Sequence, residues 1–364
     1  MIFITAKKLS HLLIIFMVIN GLTACGGGNA ADESHKAAPV SAAALDNDTT
    51  ESSVDTDEDN DGYTDQEEIA IGTDPKNAHS TPSSGNQPSS SGLKVAFERY
   101  NSFRAGAGLT ALNYNSSLEN ASKSHKNHLG YIYDRYNILE GHYENYESPH
   151  YTGYDPSIRG RRAGYTGSTG EVICYRQNGD VIQGIDELMS AIYHRNGILA
   201  YYASDMGIGG FSDLYNFKAQ VIDYGYTSDE VLERMENAAK VIIYPYAGEI
   251  NVRRVFYEER PDPLPRTSES GNPISVTFNP YYVDKVEMLS FELFESDGTK
   301  VENVLLMDSN NDPNGFFNDT DFALFPLSVL KASHIYTVRI EYSADGKVDS
   351  KEWRFTTRST KDAR

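Results

Sequence analysis

The chain has 364 residues, enough for two or three domains. Its formal charge is −20, from 52 acidic and 32 basic residues, which excludes the basic surface that nucleic-acid binders need to displace counterions. Two cysteines, Cys25 and Cys174, sit in unrelated contexts, which rules out a disulfide framework.

Residues 1–24 read as a targeting segment. Lys7 and Lys8 form a charged start, and "LLIIFMVI" is an apolar run too short to span a bilayer comfortably. "LTAC", Leu22 to Cys25, resembles the bacterial lipobox, in which the cysteine is lipidated and becomes the new N-terminus. That resemblance implies a lipid anchor on Cys25. Gly26 stands where inner-membrane lipoproteins carry a retaining Asp, which implies an outer-membrane or surface location in a host with two membranes. Residues 25–54 are poor in large apolar side chains and are expected to be a disordered tether.

Residues 55–77 hold a compact acidic motif. Eleven Asp or Glu and no Lys or Arg fall between 46 and 68. "DEDNDGYTDQEE" places oxygen donors at Asp57, Asp59, Asp61, the Tyr63 carbonyl, Asp65 and Glu68, with Gly62 at the bend. This spacing suits calcium, which takes six to eight oxygens around a sharp turn. With "IAIGTDP" after it, the stretch resembles the thrombospondin type-3 repeat of bacterial surface lipoproteins. Residues 78–92, rich in Ser and Pro, form a flexible linker.

Residues 93–226 read as a mixed α and β domain. The first helix begins at Leu93, with Val95, Ala96, Tyr100 and Phe103 apolar. A second carries Leu118, Ala121, His125 and Leu129 at helical spacing. A third carries Ile185, Leu188, Met189 and Ile192 on one stripe. "MGIGGF" and "FKAQVIDYGY" read as short strands. His125 and His128 read as helix-surface or packing residues, and His150 as loop decoration.

Four segments in order resemble the bacterial branch of the CAP superfamily (cysteine-rich secretory, antigen 5 and pathogenesis-related 1 proteins). They are "YNSFRAGAGLTALNYNSSLENASKSH", "GHYENYESPHYTGYDPSIRGRRAGY", "TGEVI" and "ELMSAIYHRNGILAYYASDMGIG". The resemblance implies an α-β-α sandwich with a central cleft in which histidines and glutamates converge. On these motifs, His142 matches the loop histidine, Glu171 the glutamate of the G-E-N segment, and His194 the histidine of the H-R motif. Glu144 is a fourth candidate, because residues 142 and 144 of an extended segment project the same way. Such a set suits zinc or another borderline divalent cation with one position open. The sequence departs from the family at Val172, Leu188 and Ala191, where the family carries Asn, Trp and a second Glu.

Residues 227–268 read as a connector, with a helix near 228–240 and the stiff "ERPDPLP". From 269 to 359 the periodicity switches to two. Ile274, Val276 and Phe278 alternate, as do Leu289, Phe291 and Leu293, then Tyr336, Val338 and Ile340. Asp297-Gly298 and Asp345-Gly346 supply turns. The stretch resembles bacterial Ig-like β-sandwiches. The expected class is therefore α+β: a CAP-like α-β-α sandwich, then an all-β Ig-like sandwich.

Two functions fit. One is a lipid-anchored envelope module that binds a lipid, peptide or envelope ligand in the cleft. The alternative is a metal-dependent hydrolase in which water on His142 and His194 is activated with Glu171 as general base. Ser168 and Thr169 offer hydroxyls near Glu171 but no nucleophile motif, which favours the binding module.

Overall fold

The computed structural model describes residues 87–360 apart from 177–179 and 212–217, with Glu58, Lys76 and the backbone of strand β1 (Cys25–Gly26) besides. The signal segment, the rest of the tether and the calcium candidates Asp57, Asp59, Asp61, Tyr63, Asp65 and Glu68 lie outside the described residues. Among the described residues no helix is long and apolar enough to cross a membrane.

Local chemistry starts each helix of the first domain. Ser90 caps α1 (Ser91–Gly106) through its side chain. Asn115 caps α2 (Ser116–Tyr136), and Asn137 ends it in the left-handed region. Asp155 and Pro156 open α3 (Pro156–Arg162). Asp180 caps α4 (Val181–Ser190). The expected third helix is broken: Ala191 is extended, and α5 (Ile192–Ile198) begins anew after it. Helix α6 is Ser228–Asn237.

The sheet between the helices has the order β1-β3-β5-β4-β2. Strands β3 (Ser168–Arg176), β4 (Asp205–Phe211) and β5 (Lys218–Tyr226) pair antiparallel, while β1 and β2 (Asn113–Tyr114) add parallel edges. Val172, Ile222, Tyr224 and Ile208 pack with α1 and α4 on one face. Ile173, Tyr175 and Val221 pack with Leu129 of α2 on the other. The result is the expected α-β-α sandwich. Glycines in β4 permit its second layer: a Cβ on Gly207 would lie 2.0 Å from the Glu119 nitrogen of α2. Helix backbone rests there directly on strand backbone.

The C-terminal region is all β. Strands β10 (Val286–Phe294), β13 (Ile335–Ala344) and β14 (Lys347–Thr356) form one sheet. The other has the order β11-β12-β9-β6, from Val304–Met307, Asp321–Pro326, Ile274–Phe278 and Val241–Tyr244. Both sheets contribute to one core, including Ile274, Val276, Leu324, Val338, Trp353 and Phe355. A small ribbon pairs β7 (Val255–Phe256) with β8 (Ser270–Gly271).

Two expectations change. The stretch 227–268 is more than a connector, because β6 pairs with β9 inside the second sheet, so that sheet starts well before 269. Leu289 is 46% exposed although Phe291 and Leu293 are buried. The register of β10 shifts between Met288 and Ser290, and the bulge turns Leu289 outward.

Candidate functional site

The cleft is assembled around α2 and the loop that follows it. His125 and His128 lie one turn apart on α2, with rings stacked at 6.1 Å. Both are buried. The loop folds back over them. Glu140 Oε2 lies 2.7 Å from His128 Nε2, and the His150 carbonyl lies 3.1 Å from His128 Nδ1. Oxygen on both nitrogens is matched by the doubly protonated ring. Burial alone would lower the His128 pKa, but the Glu140 bond and the charges of Glu144 and Glu140 outweigh it and raise it. Thus His128, read from sequence as packing, belongs to the ionic network. So does His125, whose Nδ1 meets Glu144 Oε1 at 2.7 Å and whose Nε2 meets the Gly141 carbonyl at 3.1 Å.

Glu144 pins the loop rather than joining His142. Thr152 Oγ1 donates to its Oε1 at 2.6 Å, and the Thr152 and Gly153 nitrogens donate to its Oε2. Burial raises its pKa, yet His125, His128 and Arg159 together bring it down to about 2. His150 holds a positive φ of 60° and sets its ring against Tyr131.

Deeper in the cleft, Glu171 on β3 accepts from His142 Nδ1 at 2.8 Å and from Arg159 Nη2 at 2.8 Å. Arg159, on α3, is itself buried and also donates to the His142 and Gly153 carbonyls. Burial works against the Glu171 charge, but Arg159, His125 and His142 prevail and hold the carboxyl well below the usual range. Asp223 pairs with Glu171 across β5. Burial first, then the Glu171 charge, pushes its pKa well above the usual carboxylate value.

His194 lies buried on α5. Its Nδ1 lies 2.7 Å from Glu259 Oε2. Glu259 also accepts from the Tyr193 and His194 backbone nitrogens, so one carboxylate caps the first turn of α5 and orients the ring. Sequence reading missed Glu259. It lies beyond the family-like stretch, and no local pattern sets it apart from Glu258 beside it. It supplies the carboxylate for which Ala191 had left no candidate. Glu187 points elsewhere: its Oε1 is 3.7 Å from Arg253 Nη1, and it accepts from Cys174 Sγ. Cys174 is buried, as a packing thiol would be.

The two sequence-predicted histidines therefore share one arrangement. Each has Nδ1 fixed by a carboxylate, and in each Nε2 is buried with no hydrogen-bond partner among the described residues. Burial lowers the His142 pKa against the hydrogen bond and charge of Glu171, which raise it, and the nearby His194 lowers it further. Imidazoles with a carboxylate behind each are the donor type that a borderline divalent cation takes. Among the described residues no group of three His, Cys, Asp or Glu side chains is placed to hold a metal. Any further ligands would come from water or from a bound molecule.

Family profiles agree with this architecture. Residues 97–212 match the profile of the Cysteine-rich secretory protein family, CAP. Residues 57–78 match that of the bacterial TSP3 repeat. No curated protein matches the chain. Among solved structures, it is similar to an outer surface protein from Borrelia burgdorferi at 14% identity and a TM-score of 0.30, over 38% of this chain and 93% of that one. The chain therefore carries a CAP domain at 97–212, with a bacterial TSP3 repeat before it and an all-β region after it.

Proposed function

We propose that this protein is a lipid-anchored ligand-binding module of the cell envelope, whose CAP cleft engages its ligand through a divalent cation on His142 and His194. One observation carries the reading: His142 and His194 each hold Nδ1 on a carboxylate and keep a buried Nε2 with no hydrogen-bond partner among the described residues. A buried polar nitrogen without a partner is costly, and a metal ion would satisfy it. Zinc suits neutral imidazoles with a position left open to ligand. When bound, such an ion supplies a Lewis-acidic point for a carbonyl, carboxylate or phosphate oxygen. Anchoring through Cys25 and calcium at Asp57, Asp59, Asp61, Tyr63, Asp65 and Glu68 extend the proposal to the N-terminal part of the chain.

Hydrolysis with Glu171 as base is the weaker reading. Both Glu171 oxygens are engaged, and its carboxyl is held well below the usual range, so it is a poor proton acceptor at neutral pH. The test is metal titration of residues 26–364 and of the H142A/H194A variant by calorimetry, with peptide turnover assayed in parallel. The proposal expects saturable zinc binding that the double variant loses, with no turnover. Absence of binding at the cleft, or turnover that the variant abolishes, would overturn it.

A further inference from the structure

A second cavity, of about 430 Å³, lies at the seam between the CAP domain and the β region. That is the size of a small-molecule site, and domain seams are where such sites collect. One wall comes from α5 and the turn after it, and the other from β9, β12 and the loop before β12. Its aromatic walls are locked edge to face. Tyr201 and Tyr202 sit 5.4 Å apart at 89°, while Tyr193 meets Phe316 at 5.0 Å and Phe317 at 5.9 Å. The negative faces of such rings attract cations.

The charged lining has one sign. Asp284, Asp319 and Asp321 line the cavity, and among the described residues no Lys, Arg or His does. Asp321 is buried close to Tyr201 and Tyr202, and burial raises its pKa above the ordinary carboxylate value, a cost that a bound cation would relieve. Thr277 Oγ1 donates to one of its oxygens, and the Asn318 backbone and side-chain nitrogens donate to the other. These hydrogen bonds hold the carboxylate in place but bring no positive charge. Among the described residues no cation pairs with Asp321. Arg195 stands behind the Ser275 wall, where it donates to Ser275 and to the Met189 and Pro273 carbonyls and stacks over the Tyr244 ring. A buried carboxylate facing an aromatic box without a counter-charge is half of an ion pair. An anionic ligand would meet only like charge here.

We infer that this seam cavity is a binding site for a small organic cation, its ammonium group set against the tyrosines and paired with Asp321. The site is separate from the His142–His194 cleft and does not depend on a metal there. Calorimetric titration of residues 26–364 with choline, tetramethylammonium and 1,4-diaminobutane tests it. The uncharged isostere 3,3-dimethylbutan-1-ol and glucose serve as matched neutral probes. At least one cation should bind saturably, with choline at least about tenfold tighter than its neutral isostere, a difference that charge and cation–π attraction together supply. D321N should weaken cation binding by about tenfold or more while the protein still melts cooperatively. If that variant fails to fold, the choline–isostere comparison on the unaltered protein decides alone. Equal affinity for choline and its isostere, binding of glucose only, or no saturable binding of any of the three cations would overturn the inference.

Discussion

Glu144 is almost fully buried, yet its charge is favoured because His125, His128 and Arg159 surround it. Its folded pKa of about 2 lies below the ordinary 4.5. Its contribution is therefore complete above pH 4.5 and lost as pH falls towards 2, an amplitude of about 3 kcal/mol. Glu249 and His128 act in the opposite direction. Burial raises Glu249 to about 7, and the His128 value is also raised. Both groups bind protons more tightly in the folded protein, so the stability they add at lower pH declines as pH rises, between 4.5 and 7 for Glu249 and upward from 6.5 for His128. His142, whose pKa is lowered, gains stability as pH rises towards 6.5 and offsets the Glu249 decline, so the expected outcome in urea unfolding is a rise up to about pH 4.5 and a fall above about 6.5. Glu144→Gln should remove about 3 kcal/mol from the acid limb. A curve that keeps rising past neutrality would contradict this balance.

At the scale of elements, backbone requirements decide more than side-chain preferences. The hairpin between β13 and β14 turns through Asp345 and Gly346, both at positive φ, 51° and 79°. That is the two-residue turn whose twist matches paired strands. A Cβ on Gly346 would meet nothing within 4 Å, so Gly346→Ala should cost about 1 kcal/mol, all of it conformational. Gly207→Ala should cost about 3 kcal/mol or more, because its Cβ would press on the backbone of α2. Denaturant unfolding of the two variants separates the mechanisms, and similar losses would refute the close helix–strand contact. The break between α4 and α5 has a comparable origin. The apolar stripe Ile185–Ile192 continues across it, but Glu259 caps the new helix start and holds it in place.

At the scale of the whole molecule, the two folded regions share cores. Ala191, Ile192 and Tyr193 pack with Phe256, Phe317, Ala323 and Phe325. Ile242 and Tyr244, from a strand of the β region, pack into the CAP core. Glu259 reaches from beyond the CAP domain to orient its histidine. Residues 87–360 should therefore unfold in one calorimetric transition, and a fragment ending at residue 240 should melt well below the full protein. Two separate endotherms, or a fragment as stable as the whole, would show the regions to be independent.

The sequence by itself determined the class of each region and the two long helices α1 and α2 of the CAP domain, while the family resemblance pointed to His142, Glu171 and His194. Spacing and local caps act over a few residues, and a one-sided core leaves a readable period. It also marked Tyr336, Val338 and Ile340 as one face of a strand, and all three are buried. Tertiary structure alone decided what those signals do not encode. Strand β12 has every residue buried, because one face meets the partner sheet and the other meets α5, so no alternation marked it. His125 and His128 follow the same helical spacing as core residues, and only the returning loop makes them part of the cleft. Glu259 lies 65 residues from the histidine it holds. A carboxylate at that separation is chosen by chain folding, which no local pattern records.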